Sequence, residues 1–380
     1  MKSESRRIFL SRGVQAAGAL AVAASARLAI GDDPAEADPL IDKAIAFLKE
    51  RQGPDGNWSA DRKEPGITAL ILAGLLRSKK VLPTEPVITR GLSYLEPLIA
   101  PRSGSVEVAH ANYALSVGLM AFHEANQGGR YDALIKQARD YMKDKQWDEG
   151  EGKNRDDPFY GGAGYAGTAN SRPDLSNTSF LLEALHDTGI PPSDPAFQKA
   201  VVFISRCQNL KSEFNDQPWA DKINDGGFIY TAANGGTSVA GKDEATGGLR
   251  SYASMTYAGL RSLIYAGLTA EDPRVKAARD FLSKNYSVDE NPGLGDVGLY
   301  YYYQAMAKTL AALGSDRFVD DKGTAHDWRS DIVGALARRQ NPNGSWVNKN
   351  DRFMEGDANL STAYGLLALG YVRSGKKSGA

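Results

Sequence analysis

Cysteine is almost absent from this sequence, with Cys207 as its single example among 380 residues. One thiol cannot form an internal disulfide, and it cannot supply a metal site built from several thiolates. An excess of charge of either sign is also missing, because 45 basic residues are balanced by 46 acidic ones. This balance gives no electrostatic reason to expect nucleic acid or an anionic membrane surface as a partner.

Histidine is scarce as well, and its four residues show no paired spacing of the kind that holds a metal. With a single cysteine beside them, we predict no metal site and no cofactor. Long apolar runs are lacking too. No segment reaches the roughly 20 apolar residues that a membrane-spanning helix needs, so we predict no transmembrane segment.

The first thirty residues have the composition of a targeting peptide. The stretch SRRIFLS (residues 5–11) precedes an Ala-rich apolar run at 14–24 and then Ala24-Ser25-Ala26. A charged start, an apolar middle and a small-x-small site indicate a cleaved signal within residues 1–30, with cleavage in 24–31. Its core resembles a twin-arginine export signal, departing only at Ser11, which implies a periplasmic or extracytoplasmic location.

An internal repeat organises the rest of the chain. QGPDGNW at 52–58 has a close copy in QNPNGSW at 340–346. Each copy ends an amphipathic helical stretch and contains a glycine suited to a tight turn. A tryptophan that follows such a turn is expected to be buried. Six residues of the two copies are therefore predicted to be structural: Gln52, Gly56, Trp58, Gln340, Gly344 and Trp346.

Amphipathic helical stretches alternate with more apolar ones along the chain. A helix that carries charge on one face borders solvent, whereas a helix that is apolar nearly all round is enclosed by others. Six outer and six inner helices of this kind predict an all-α fold, an α6/α6 toroid, in one domain at residues 38–375. No stretch alternates with period two over the length of a strand, so almost no sheet is expected.

The pattern Lys/Arg-Ala-x-x-Phe-Leu followed by Gln-x-x-x-Gly-x-Trp resembles the QW repeat of squalene and oxidosqualene cyclases. It is similar, more loosely, to repeats of protein prenyltransferase β subunits. The copy at 43–58 is full and the copy at 331–346 is nearly full. The resemblance implies a terpenoid cyclase-like or prenyltransferase-like toroid with an apolar, isoprenoid-type ligand in its centre. It also implies that the tryptophans stack on the glutamines and join neighbouring helix pairs.

If the inner helices run parallel, their N-termini meet at one mouth of the ring. Unpaired N–H groups and about half a positive charge at each N-terminus favour carboxylates or anionic groups there. The two longest connections, 146–175 and 209–251, lead to this mouth and are rich in Gly, Asp and Asn. Asp174, Asp243 and Asp357 belong to the mouth, either as site residues or as helix caps.

The residues on which the known activities of these families depend are missing from this sequence. The cyclase acid motif Asp-x-Asp-Asp-Thr reads DLSNT from Asp174, so serine stands where the proton-delivering aspartate belongs. The serine hydroxyl is too weak an acid to protonate an alkene. The prenyltransferase zinc site, Asp-x-Cys with a distant His, has Ser in place of Asp before Cys207. Catalytic activity, if any, would be terpene cyclase-like or prenyltransferase-like and is left open.

Three functions remain open at this point. The first is binding of a small apolar ligand, with Asp174 and Asp243 as candidate catalytic residues. Its candidate ligand-binding residues are His110, Asn177, Tyr252, Tyr257, Tyr302 and Asp357. The second is a noncatalytic module that binds another protein and has a plugged cavity. The third is a polysaccharide-acting toroid enzyme, which for hydrolysis needs two carboxyl groups roughly 5 to 9.5 Å apart.

Overall fold

The computed structural model describes residues 34–59, 65–100, 106, 108, 110–165 and 171–374. Within these residues the chain forms twelve α-helices, three short 3-10 helices and one hairpin of two-residue strands. The short helices are Pro34–Ala37, Glu149–Glu151 and Ala233–Gly235. The predicted signal peptide and its cleavage segment lie outside the described residues.

The helices alternate between an outer and an inner layer. The outer helices are α1 (Asp38–Arg51), α3 (Pro86–Ile99), α5 (Asp132–Asp144), α7 (Pro195–Arg206), α9 (Pro273–Lys284) and α11 (Trp328–Ala337). The inner helices are α2 (Pro65–Arg77), α4 (Ala111–Glu124), α6 (Leu175–Asp187), α8 (Ala253–Tyr265), α10 (Leu299–Ala312) and α12 (Ala358–Arg373). Strands β1 (Phe318–Val319) and β2 (Ala325–His326) pair antiparallel between α10 and α11.

The inner helices form a closed ring. Each packs against the inner helix before it and the one after it, and α12 packs against α2. The outer helices cover this ring, each in contact with neighbouring inner helices. The prediction of an all-α fold with six outer and inner helix pairs is therefore confirmed.

Burial explains why one helix of each pair lies outside. Helix α1 buries only one face, formed by Ile41, Ala44, Ile45, Phe47 and Leu48. These positions recur at helical spacing, so the remaining positions of α1 border solvent. Helix α2, in contrast, is buried at every position from Pro65 to Leu76. Only a helix enclosed by neighbours on all sides tolerates such a composition.

Four glutamines join neighbouring outer helices in the same way. Each follows an outer helix and donates its side-chain amide to a carbonyl in the first turn of another outer helix. The pairs are Gln52 with Val87, Gln146 with Ala196, Gln208 with Arg274 and Gln340 with Leu40, at 2.9 to 3.0 Å. The last pair joins the end of α11 to α1, so it also closes the outer layer.

A glycine in each of these turns contacts the same outer helix, three residues after the carbonyl that the glutamine binds. The backbone of Gly161 has a φ of +82°, and a Cβ placed on it would lie 1.9 Å from the Lys199 carbonyl oxygen. At Gly344 the corresponding distance to the Lys43 oxygen is 2.3 Å. Any side chain at these two positions would push the neighbouring helix away, since backbone atoms have no rotamer through which to yield.

The two repeated tryptophans connect the helices within one pair. The indole N–H of Trp58 donates to the Leu48 carbonyl at 2.7 Å, and its backbone N–H donates to the Thr68 hydroxyl at 3.2 Å. Trp346 makes the equivalent bonds to Leu336 and Thr362, at 2.9 and 3.0 Å. Each ring is thus buried between the end of an outer helix and the start of the next inner helix.

We expect Gly161→Ala to lower the free energy of unfolding by at least about 2 kcal/mol more than Gly189→Ala. Both glycines have positive φ, so the cost of a left-handed alanine is common to the two variants. Only Gly161 meets a neighbouring backbone, whereas a Cβ on Gly189 would meet nothing within 4 Å. Urea denaturation of both variants measures the difference. Equal destabilisation would show that the contact with the next helix is not tight.

Candidate ligand-binding cavity

A cavity of about 300 Å³ opens inside the ring where the inner helices begin. All six inner helices contribute residues from their N-terminal caps or first two turns. These residues are Gly66, Ile67, His110, Tyr113, Ser176, Asn177, Phe180, Tyr252, Ser254, Met255, Gly298, Tyr301, Leu360 and Tyr364. The inner helices therefore run parallel, and their positive ends converge on one space.

Loop residues complete the wall of the cavity. Tyr165 comes from the first long connection, and Tyr230 and Val239 come from the second. The short loop 352–355 before α12 adds Phe353 and three neighbours. Both Gly-rich connections thus reach the same opening. Apolar and aromatic side chains predominate among all these lining residues.

Four aromatic rings meet around the cavity. Phe180 of α6 lies 4.9 Å from the ring of Tyr113 and 6.3 Å from that of Tyr301, measured between centroids. Tyr301 lies 5.9 Å from Tyr364, edge to face. The hydroxyls of Tyr364 and Tyr113 are 3.1 Å apart and complete the circle. This circle, the aromatic floor, joins helices α4, α6, α10 and α12.

Charged side chains lie on the side of the aromatic floor where the inner helices end. Lys308 is fully buried, with its Nζ 5.6 Å from the Phe180 ring centroid and 2.7 Å from a Glu183 oxygen. Arg261 and Arg77 also pair with Glu183, at 3.2 and 3.4 Å. Burial lowers the pKa of Lys308 to about 8, against the opposing effect of Glu183. This ion cluster fills the ring interior at the ends of the helices, where cations suit the helix dipoles.

Glu355 is the one carboxylate among the described lining residues. Its Oε1 accepts the backbone N–H of Tyr301 at 2.7 Å, and its Oε2 accepts the Asn348 amide at 2.7 Å. Helix α10 begins after Gly298, which has no side chain to cap it. Glu355 therefore acts as the cap of α10 from a distant loop. Burial raises its pKa, although these hydrogen bonds oppose the rise.

Asp174 caps α6 directly behind the cavity wall. Its Oδ1 accepts the backbone N–H of Asn177, and its Oδ2 accepts the Asn177 side-chain amide, both at 2.8 Å. Burial raises the pKa of Asp174 to about 6, although its hydrogen bonds favour the carboxylate.

Tyr230 and Tyr165 both line the cavity, and Tyr230 lies near the Asp174 carboxylate. The Tyr165 ring lies 4.8 Å from the His110 ring. Burial raises the pKa of Tyr230 far above the usual range of a phenol, and the Asp174 carboxylate adds to the effect. Both tyrosines are therefore protonated at neutral pH.

Comparison with solved structures shows what this architecture resembles. A tyrosine-to-phenylalanine variant of the type II terpene cyclase MstE from Scytonema superposes with a TM-score of 0.55 at 11% identity, over 90% of this chain and 98% of that one. MstE itself gives 0.54 at 12% identity, over 90% and 99%. This is a terpenoid cyclase-like helical fold.

A polysaccharide lyase has a similar fold, with a TM-score of 0.51 at 10% identity, over 89% of this chain and 98% of that one. At such identities the likeness extends to the fold and not to the chemistry. No family profile matches the sequence, and no curated protein matches it either. The chemistry of this cyclase-like toroid therefore depends on the residues of its own cavity.

Three of the candidate residues from the sequence line this cavity: His110 caps α4, Asn177 lies in the first turn of α6, and Tyr252 caps α8. Asp174 lies behind the wall as described. Asp357 caps α12 by accepting the N–H groups of Asn359 and Leu360, and it is not among the lining residues.

The remaining candidates lie elsewhere in the structure. Tyr257 and Tyr302 pack on each other with centroids 5.8 Å apart, and neither lines the cavity. Tyr302 donates to the Ser287 carbonyl at 2.5 Å. Asp243 holds a loop by accepting the N–H groups of Ala245 and Thr246. Tyr257 and Tyr302 lie on helix faces that do not line the cavity, and Asp243 belongs to a loop outside its wall.

Several lining residues were not predicted from the sequence. Among the four consecutive tyrosines at 300–303, Tyr301 faces the cavity. Tyr113 and Phe180 come three residues after His110 and Asn177, so helical spacing from those two positions indicates them. Tyr165, Tyr230 and Glu355 lie in loops, where no periodicity relates them to the cavity.

In the part of the chain that the structure describes, no helix is long and apolar enough to cross a membrane. No group of three or more His, Cys, Asp or Glu side chains in the same part is arranged to hold a metal ion. Cys207 is buried at the end of α7 and is not a lining residue.

The raised pKa of Asp174 predicts that the stability of the folded protein depends on pH. Because its pKa is higher in the folded protein than the ordinary 3.8, the folded state binds the proton more readily than the unfolded chain. The contribution of Asp174 is therefore most favourable below about pH 4 and is lost as the pH rises through about 6. A rise from 3.8 to about 6 corresponds to on the order of 3 kcal/mol.

We expect the free energy of unfolding of the unmodified protein, relative to Asp174→Asn, to fall by on the order of 2 kcal/mol between about pH 4.5 and pH 7.5. Asparagine retains the cap, so the pair isolates the charge. Urea denaturation at both pH values measures this difference. Asp357→Asn, which replaces the half-buried cap of α12, controls for the general effect of removing a cap carboxylate. A pH-independent difference for Asp174→Asn would contradict the assignment.

Proposed function

We propose that the cavity binds a small apolar ligand of isoprenoid type. The observation that carries this proposal is the composition of the wall at the point where the six inner helices converge. Its volume of about 300 Å³ lies at the lower end of the range for small-molecule pockets. Six tyrosines and two phenylalanines are among the lining residues. Each methylene group that a ligand buries there contributes about 0.8 kcal/mol.

The position of the aromatic floor supports this proposal. Phe180 and Tyr364 are buried and Tyr301 is half-buried. The ion cluster lies beyond them. The hydroxyls of the floor already have hydrogen-bond partners, since Tyr113 bonds Tyr364 and Tyr301 bonds Ser176 at 3.2 Å. A ligand that reaches the floor therefore meets ring faces and edges instead of unsatisfied polar groups.

Alkene protonation and zinc-thiolate chemistry do not follow from this site. Ser176 and Asn177 occupy the positions where a cyclase-type motif has aspartates. Asn177 donates to Asp174 from its backbone N–H and from its side-chain amide. These hydrogen bonds favour the ionised carboxylate, which carries no proton to donate, although burial raises the pKa of Asp174 to about 6. Cys207 lies apart from the lining residues. The proposal is thus for binding, with any catalysis arising from other groups.

A noncatalytic module that presents this mouth to another protein is less well supported. It requires a cavity plugged by side chains, whereas the mouth holds an open space of about 300 Å³.

A polysaccharide-acting enzyme is the second candidate, and one observation favours it. His110, Tyr165 and Tyr230 place an imidazole and two phenols on one side of the cavity, as proton transfer at a sugar would need. Hydrolysis by a carboxylate pair is disfavoured, because Glu355 is the one carboxylate among the described lining residues and it caps α10. An eliminating activity would instead produce an unsaturated sugar, which ultraviolet absorbance of treated polyuronates would reveal.

We expect Leu360→Trp to weaken binding of geraniol and farnesol at least tenfold, because the indole fills part of the cavity that Leu360 lines. Leu360→Met, which conserves volume, should bind within about threefold of the unmodified protein. Isothermal titration calorimetry measures all three proteins, and circular dichroism checks that both variants are folded. Absence of binding of either alcohol to the unmodified protein would overturn the proposal.

We also propose export of the folded protein through the twin-arginine pathway, on the strength of Arg6 and Arg7 in the N-terminal stretch. Replacing both by lysine should leave the uncleaved protein in the cytoplasm of a host with this pathway. Cell fractionation and the mass of the product measure this. Export of the double variant at the normal level would contradict the assignment.

A further inference from the structure

One arginine lines the cavity without an ion-pair partner among the described residues. Arg352 lies in the short loop before α12, and no other described lining residue is a lysine or an arginine. Its guanidinium contacts the ring of the neighbouring Phe353, with 5.7 Å between Cζ and the ring centroid. The buried Arg77 and Arg261, in contrast, both pair with Glu183. The charge of Arg352 is therefore not compensated within the described part of the wall.

Hydrogen bonds of the loop fix the backbone of Arg352 at the mouth. The Arg352 N–H donates to Asn350 Oδ1 at 3.1 Å. Glu355 joins the same loop to the first turn of α10, because its Oε1 accepts the Tyr301 N–H at 2.7 Å. The side chain of Arg352 is exposed and takes no part in these bonds. A cation on a fixed backbone needs little ordering when a ligand binds to it.

The helix N-termini around the mouth already have acceptors. Asp174 caps α6, Asp357 caps α12 and Glu355 caps α10. In α8 the Ser254 N–H donates to Asn291 Oδ1 at 3.1 Å. Three of these four acceptors are carboxylates, so they offset the positive ends of their helices. A diphosphate at the mouth would meet one lining cation and repulsion from these carboxylates.

A single guanidinium matches a singly charged, planar group. Its fork of N–H donors binds both oxygens of a carboxylate at once. We propose that Arg352 binds the carboxylate of an isoprenoid-type acid at the mouth of the cavity. Because Arg352 is exposed and Phe180 in the aromatic floor is buried, the apolar body of this acid extends toward the floor. This inference rests on the proposed binding of an apolar ligand and adds the chemistry of its polar end.

The test compares geranic acid with geraniol, which share one apolar chain and differ at its polar end. We expect the unmodified protein to bind geranic acid at least about tenfold more tightly, because a carboxylate forms charge-assisted hydrogen bonds with Arg352. Isothermal titration calorimetry at about pH 7.5, where the acid is ionised, measures both affinities. Geranyl diphosphate should bind more weakly than geranic acid, since one lining cation faces its several charges.

Arg352→Gln isolates the contribution of the guanidinium. The preference for geranic acid over geraniol should fall below about threefold, because the charged partner of the carboxylate is lost. The affinity for geraniol should change by less than about threefold, since the apolar wall is intact. Arg279→Gln removes the same charge from an exposed position on α9 and should keep the full preference. Circular dichroism confirms that both variants are folded.

Each outcome bears on a different statement. If neither geraniol nor geranic acid binds to the unmodified protein, the proposal of an apolar ligand fails, and this inference fails with it. If both bind equally well, Arg352 does not select a carboxylate, while the apolar-ligand proposal stands. If the preference persists in Arg352→Gln, another group binds the carboxylate and the inference is wrong. Tighter binding of geranyl diphosphate than of geranic acid would also overturn it, in favour of a phosphate head group.

Discussion

Closure of the helix ring is the constraint on which the rest of the structure depends. The amide of Gln340 binds the Leu40 carbonyl, and Gly344 touches the next turn of α1, while α12 packs on α2. Without these contacts the six hairpins would form an open row with an exposed apolar face. Once the ring closes, the parallel inner helices converge, and the cavity and its loops take their positions as a consequence.

Convergence of parallel helices divides the interior by charge. Carboxylates cap the N-terminal ends, as Asp174, Glu355 and Asp357 do, because unpaired N–H groups are concentrated there. At the other end, Arg77 and Lys308 meet the carbonyl ends, with Glu183 between them. The aromatic floor separates the two regions. The floor thus stands between the mouth and the buried ions, which pair with Glu183.

This division also explains why a cyclase-like fold need not imply cyclase chemistry. The carboxylates near the cavity are used as helix caps, and the one at the cyclase motif position accepts two hydrogen bonds from Asn177. Such a group accepts protons at neutral pH more readily than it donates them. The fold supplies an enclosed apolar space, whereas the reacting groups depend on loops that differ between proteins of the same architecture.

The amino-acid sequence by itself determined the helix pairs, their inner and outer layers and the turn with Gln, Gly and Trp, because these depend on local spacing and burial pattern. It also indicated His110, Asn177 and Tyr252, which stand at helix starts. It could not determine which face of an inner helix meets the lumen, since such a helix is apolar all round. Tyr301 therefore lines the cavity, whereas Tyr302 does not. The meeting of Tyr165 and Tyr230 at the cavity wall was decided by tertiary structure alone, because residues from separate loops become neighbours only when the ring closes.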